Sequence, residues 1–141
     1  MTKTATVEMG VVPCLSDNYA FLVHNAGTKE TALIDAPEAE PIQAALDARG
    51  WTLTDILITH HHWDHTGGNE ELKTKTGCKV VGGPESSIPA IDQVVKNGDQ
   101  IKIGESLATA IQIPGHTLDQ IAFWFEKEKI VFTGDTLFSI G

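Results

Sequence analysis

Asp55-Ile56-Leu57-Ile58-Thr59-His60-His61-His62-Trp63-Asp64-His65-Thr66-Gly67-Gly68 is the stretch on which the reading of this chain turns. Its first five residues, with Ile56-Leu57-Ile58 at their centre, make a short apolar run of the kind expected of a buried strand. Gly67-Gly68 then precede a short helix expected to run through about Lys75, so the histidines occupy a strand-loop-helix junction. In extended backbone, residues two apart point the same way. His60 and His62 can therefore present two imidazoles to one ion while His61 faces the other side. Asp64 and His65 follow where the chain turns towards the helix and can aim at a neighbouring point, so that one seven-residue segment could serve two metals.

Imidazole nitrogen and carboxylate oxygen suit zinc, and also iron or manganese, and the lack of cysteine donors argues for an open, catalytic site over a closed structural one. Two later segments offer further donors, each next to a glycine just past a β-type run: Pro114-Gly115-His116-Thr117 and Thr133-Gly134-Asp135-Thr136. Glycine permits close backbone approach there. The plain alternative is a solvated polar turn rich in histidine. The strand before the cluster, the paired glycines after it and the two strand-end donors favour metal binding. Trp63 and Asp64, and the mid-chain position, exclude a polyhistidine tag.

Outward from the cluster, β-type runs over 7–13, 19–24 and 31–34 open the chain as a meander, with a hairpin turn expected at Asn25-Ala26-Gly27. A helix is expected over 38–49, with Ile42, Ala45, Leu46 and Arg49 on one stripe and a stop at Gly50. Cys78 to Val81 reads as a strand and 84–90 as a loop. Turn signals at Asn97-Gly98-Asp99, Gly104-Glu105 and 126–129 separate strands over 101–103, 107–113, 121–125 and 130–132. The expected class is α/β, in the sense of an α+β layered domain rather than a doubly wound sheet.

At 141 residues, with no low-complexity linker, one domain over 1–141 is expected. A net charge of −9 repels nucleic acid and anionic membrane surfaces, so neither is an expected partner. The first twelve residues lack a basic stretch followed by an apolar run, and no segment reaches the length of a membrane span, which makes a cytoplasmic location the expectation. Cys14 and Cys78, without a CxxC partner, are expected as buried thiols rather than a disulfide. His24, at a hairpin edge, reads as a surface residue, and Asn18 and Tyr19 read as shaping the fold rather than doing chemistry.

Thr59 to His65 resembles the T-H-x-H-x-D-H signature of the metallo-β-lactamase superfamily, with His116 and Asp135 at its next two ligand positions. Within that superfamily, Pro13-Cys14-Leu15-Ser16-Asp17-Asn18-Tyr19, the run from His61 to Asn69, and Gly134-Asp135-Thr136-Leu137-Phe138 resemble the glyoxalase II family, the hydroxyacylglutathione hydrolases. The resemblance implies an αββα sandwich. It implies that His60, His62 and His116 hold one metal, that Asp64 and His65 hold a second, and that Asp135 bridges the two. One or two zinc ions would then carry a hydroxide that attacks the thioester of an S-acylglutathione such as S-lactoylglutathione. Asp64 and Asp135 are the residues expected to take part in the chemistry as well as in ligation.

The family pattern continues past Gly141 into a glutathione-contacting loop, a further histidine ligand and a helical domain. The chain is accordingly expected to be the front portion of a longer enzyme, incomplete at its C-terminus, with Asp64, His65 and Asp135 as the second metal's ligands and a weaker second site. An apolar sheet face left uncovered would favour self-association. Asp119-Gln120 replaces the glycine-histidine of many relatives, a local difference that leaves His116 in place. Two other readings are a persulfide dioxygenase with a single iron, disfavoured by Asp17-Asn18-Tyr19 and by His61-His62-Trp63, and a metal-binding fragment without turnover.

Overall fold

The apolar run Ala32-Leu33-Ile34 has no polar alternation, and a strand of that kind needs cover on both faces. It receives it. The structure is a computed structural model that describes residues 7–14, 18–59, 68–83, 90–103, 106–112, 121–127, 129–133 and 137–139. Strands β1 (Val7–Cys14), β2 (Asn18–Asn25) and β3 (Glu30–Ile34) form the expected antiparallel meander. At its second turn the Asn25 side-chain oxygen accepts the Gly27 and Thr28 amides at 3.1 and 3.0 Å, and Lys29 closes the turn at φ 68°. Helix α1 (Ala39–Arg49) carries the chain over to β4 (Thr52–Leu57), which pairs parallel with β3. Helix α2 (Asn69–Thr76) makes a second crossover to β5 (Lys79–Gly82), with the short β6 (Gln93–Val94) beside it.

Among the described residues these six strands make one mixed sheet in chain order, and β7 (Gln100–Ile103), β8 (Ser106–Gln112), β9 (Ile121–Phe125), β10 (Ile130–Phe132) and β11 (Leu137–Ser139) make a second, wholly antiparallel sheet. Side-chain alternation divides the core in two. Ala20, Leu22, Leu33, Ile56 and Val80 turn towards Ile42, Leu46 and Leu72 of the helices. Phe21, Val23, Ala32, Ile34, Leu57 and Val81 turn towards Ile101, Ala110, Phe123 and Phe132 of the second sheet. The described residues thus stack as helix layer, mixed sheet, antiparallel sheet. Phe132 joins the two sheets, its ring 5.5 Å from that of Phe21 and edge-on to Phe125 at 5.7 Å.

The strand at the histidine junction begins earlier than its apolar run indicates, at Thr52, because Leu53 is buried below it and a register shift at Thr31/Ala32 absorbs one residue. Helix α1 begins one residue later than expected and ends as expected at Gly50, which takes the left-handed conformation at φ 69°. Its buried stripe is Ala39, Ile42 and Leu46. Arg49 lies outside it, its guanidinium 5.4 Å from the Trp51 ring. Strands β6 and β11 are too short to have a period, and the sequence pattern does not predict them. The turn at Gly104-Glu105 and residues 84–89 of the loop expected over 84–90 lie outside the described residues. Cys14 and Cys78 are free, buried thiols as expected, and burial, aided by the Glu38 charge, pushes Cys14 up to about 11.

His24 is not a surface residue: only 6% of it is exposed. Its strand has neighbours on both sides, its Nδ1 shares a hydrogen bond of 2.8 Å with Thr31 Oγ1, and Trp51 stacks on its ring at 4.3 Å with a 5° tilt. Burial lowers its pKa below the ordinary 6.5, outweighing the nearby Glu8 carboxylate, which acts the other way. A folded-state pKa below the unfolded one means that the unfolded chain takes up the proton first, so stability falls as pH drops through 6.5 towards the lower folded value. Buried Asp55, whose pKa is raised by desolvation, works in the opposite sense as pH falls. The urea midpoint is therefore compared between wild type and His24→Gln at pH 7.5 and 5.5. The wild type is expected to lose more on acidification, and equal losses would remove His24 as the cause.

Candidate metal centre

All six sequence-predicted ligands lie outside the described residues: His60, His62, Asp64 and His65 within 60–67, His116 within 113–120, and Asp135 within 134–136. Among the described residues no group of three His, Cys, Asp or Glu side chains gathers into a metal site. What the structure describes is the frame from which these three segments leave and to which they return.

The first segment leaves from Thr59, which is fully buried and held by Asp35. The Asp35 carboxylate accepts the Thr59 amide at 2.7 Å and the Thr59 hydroxyl at 2.6 Å. Asp35 is itself fully buried and stands at φ 66°, a left-handed conformation that Asp tolerates better than most residues. Its own amide bonds to Leu57 O at 2.9 Å, and the Ile58 amide bonds to Val81 O at 2.8 Å, so β4 is tied on both sides to the residue before His60. These two short bonds hold the backbone at the residue from which 60–67 leaves.

The segment returns at Gly68, whose amide bonds to Ala36 O at 2.7 Å and whose carbonyl accepts the Leu72 amide of α2 at 3.0 Å. Asp35-Ala36 therefore grips both ends of 60–67. Space at Gly68 is tight: a Cβ there would come within 2.8 Å of Ala39 N, at the start of α1.

The described residues that flank the other two segments lie at the same end of the molecule. Residues 113–120 join Gln112 to Ile121, which face each other across β8 and β9, and residues 134–136 follow Phe132, which faces Leu137 across β10 and β11. Across the two sheets the Ile121 amide bonds to Thr59 O at 3.0 Å. One hydrogen bond thus links the residue before His60 to the residue that closes the His116 segment. A hollow of about 400 Å³ lined by Gln100, Leu107, Thr109, Glu126, Lys127 and Lys129 lies at the opposite end of the second sheet and has no part in this frame.

The sequence pattern does not single out Asp35. The available signal was an acid placed directly after the buried run Ala32-Leu33-Ile34, where a solvated turn would be the default.

This frame is that of a known class. Residues 15–141 match the Metallo-beta-lactamase superfamily, and the chain belongs to it. Membership implies a metal cofactor. More narrowly, the chain is 52% identical over 136 residues to the hydroxyacylglutathione hydrolase of Bradyrhizobium sp. (strain ORS 278), covering 95% of this chain and 53% of that one. This agrees with the glyoxalase II resemblance read from the motifs. The chain spans about half the length of the curated relatives it matches. Among solved structures it resembles ETHE1 from Myxococcus xanthus, with a TM-score of 0.76 and 28% identity over 90% of this chain and 56% of that one. BLEG-1, a B3 metallo-beta-lactamase, shares the fold alone, with a TM-score of 0.78 at 22% identity over 94% of this chain and 74% of that one. No described helix is long and apolar enough to cross a membrane.

Proposed function

We propose that residues 1–141 form the metal-binding catalytic domain of a hydroxyacylglutathione hydrolase, which cleaves the thioester of an S-acylglutathione such as S-lactoylglutathione. The observation that carries this reading is the identity of about half the residues, over nearly the whole chain, to proteins of that name. His60, His62 and His116 would hold one metal ion, with zinc the expected one, and Asp64, His65 and Asp135 would serve a second. The donor set fits: imidazole and carboxylate groups in three segments whose described ends lie at one end of two bonded sheets. When bound, the metal supplies a Lewis acid that lowers the pKa of water into the neutral range.

The chain's own part is positional. Asp35 and Thr59 fix the start of the first ligand segment, Gly68 its end, and Ile121 the end of the second. A thiol leaving group with a pKa of about 8.5 departs readily as thiolate, so no side chain need be dedicated to protonating it.

Metal content by elemental analysis, taken together with S-lactoylglutathione hydrolysis, tests the reading. At least one zinc per chain and measurable turnover are expected, with His62→Ala losing roughly 100-fold or more in turnover along with its metal. Full metal occupancy with no thioester hydrolysis would reduce the chain to a metal-binding module. Oxygen uptake by an iron-loaded sample would point to the persulfide dioxygenase reading.

A further inference from the structure

Tyr19 belongs to a motif that the catalytic reading leaves without a role, and the structure does not use it for packing: 45% of it is exposed. Its hydroxyl makes no hydrogen bond to a described residue. Along β2, alternation puts Tyr19 on the same face as Phe21 and Val23, the face turned towards the second sheet. Phe21 and Val23 are covered by that sheet and Tyr19 extends beyond it. Across the strand pair Tyr19 faces Pro13, and Phe21 faces Val11. Pro13 is exposed, and Val11 is 54% exposed. Directly opposed side chains lie roughly 5 Å apart, so the three residues make one continuous apolar step.

Its place is at the metal end of the sheet. Phe21 pairs with Ile34, and continuing that register by two residues sets Tyr19 level with Ala36, which holds Gly68. From β2 to β4 is two strand spacings, so the Tyr19 backbone stands roughly 10 Å to the side of Thr59. Its side chain rises from the sheet on the side of the second sheet, the side from which the Ile121 amide reaches Thr59 O, and so flanks that end of the sheet without spanning the interval.

The step carries no charge, and the chain as a whole carries −9. Val11, Pro13 and Tyr19 offer the carboxylates of a peptidyl thiol no cation and at most the one Tyr19 hydroxyl, whereas a hydrocarbon chain loses water-exposed surface by lying against all three. On the hydrolase reading above, we propose that this step receives the hydrocarbon part of the substrate's acyl group, with Tyr19 as the residue that sets acyl-length preference.

The test compares kcat/KM for S-acetyl-, S-butanoyl- and S-hexanoylglutathione in wild type, Tyr19→Ala, Tyr19→Phe and, as a control at the far end of the second sheet, Leu107→Ala. Wild type is expected to gain roughly two-fold per methylene, a fraction of what full burial gives. Tyr19→Ala is expected to flatten that series, its loss largest on the S-hexanoyl substrate. Tyr19→Phe keeps the gradient, because the ring and not the hydroxyl makes the contact, and Leu107→Ala keeps it as well. A wild-type gradient in Tyr19→Ala, or an equal loss on all three substrates, overturns the assignment and leaves the hydrolase reading standing. Hydrolysis of none of the three by wild type overturns both.

Discussion

Replacing Asp35 by alanine is expected to destabilise the fold by about 3–5 kcal/mol, a large share of the roughly 5–15 kcal/mol that holds a domain together. Asp35 accepts both bonds to Thr59, at 2.7 and 2.6 Å, and a buried donor left without its partner costs about 1–3 kcal/mol. The alanine leaves the buried Thr59 amide and hydroxyl without the carboxylate and must adopt φ 66°, which adds roughly 1 kcal/mol. Against these terms stands the desolvation that a fully buried carboxylate no longer incurs, which keeps the total below the simple sum. Asp35→Asn separates the contributions. Asparagine tolerates the left-handed conformation and retains one oxygen for the Thr59 amide, so about half the loss is expected. Urea unfolding measures the stability, and zinc content of the surviving folded fraction should fall with it, because His60 follows Thr59 directly. An Asp35→Ala protein as stable as wild type would mean that the clamp is not what fixes the start of the ligand segment.

That this clamp escaped the sequence reading has a physical reason. The candidate metal segments stand out in the sequence because ligand chemistry is local: His60 and His62 two apart, a glycine beside His116 and another beside Asp135. The strands over 121–125 and 130–132 were legible because burial on one or both faces writes itself into a run of apolar residues. Asp35 reaches Thr59 across 24 residues, and no periodicity carries a long-range hydrogen bond. His24 failed for the same reason, since Trp51, which covers it, arrives only after a helix and a crossover. Tyr19 is 45% exposed because its strand runs beyond the sheet that covers Phe21 and Val23, and a period-two pattern does not show where cover stops. The layered α+β class survived these local errors because it depends only on the alternation of strands and helices, which is the coarsest signal in the chain.

Gly68→Ala should be the more damaging of two glycine substitutions that look alike in sequence. Gly68 stands at φ −98°, where alanine is at ease, so the difficulty is space: the new Cβ would lie 2.8 Å from Ala39 N, 3.1 Å from Ala39 Cα and 3.1 Å from Glu38 C. All three are backbone atoms at the start of α1, and no side-chain rotation relieves the overlap. Either α1 shifts outward, disturbing the packing of Ile42 and Leu46, or Gly68 retreats and stretches its 2.7 Å bond to Ala36 O. Overpacking of this sort costs about 1–3 kcal/mol. Gly77, at the end of α2, is the opposite case, with φ 73° and nothing within 4 Å, so Gly77→Ala carries a conformational cost of about 1–2 kcal/mol and no clash. Stability alone distinguishes the two poorly. Metal retention distinguishes them well, because Gly68 is the return point of the segment that carries His60, His62, Asp64 and His65, and Gly77 is a helix away from it. Thermal unfolding together with zinc content is therefore expected to show both variants less stable and only Gly68→Ala depleted of metal. Equal zinc in the two variants would mean that the ligand segment finds its geometry without the close approach of Gly68 to α1.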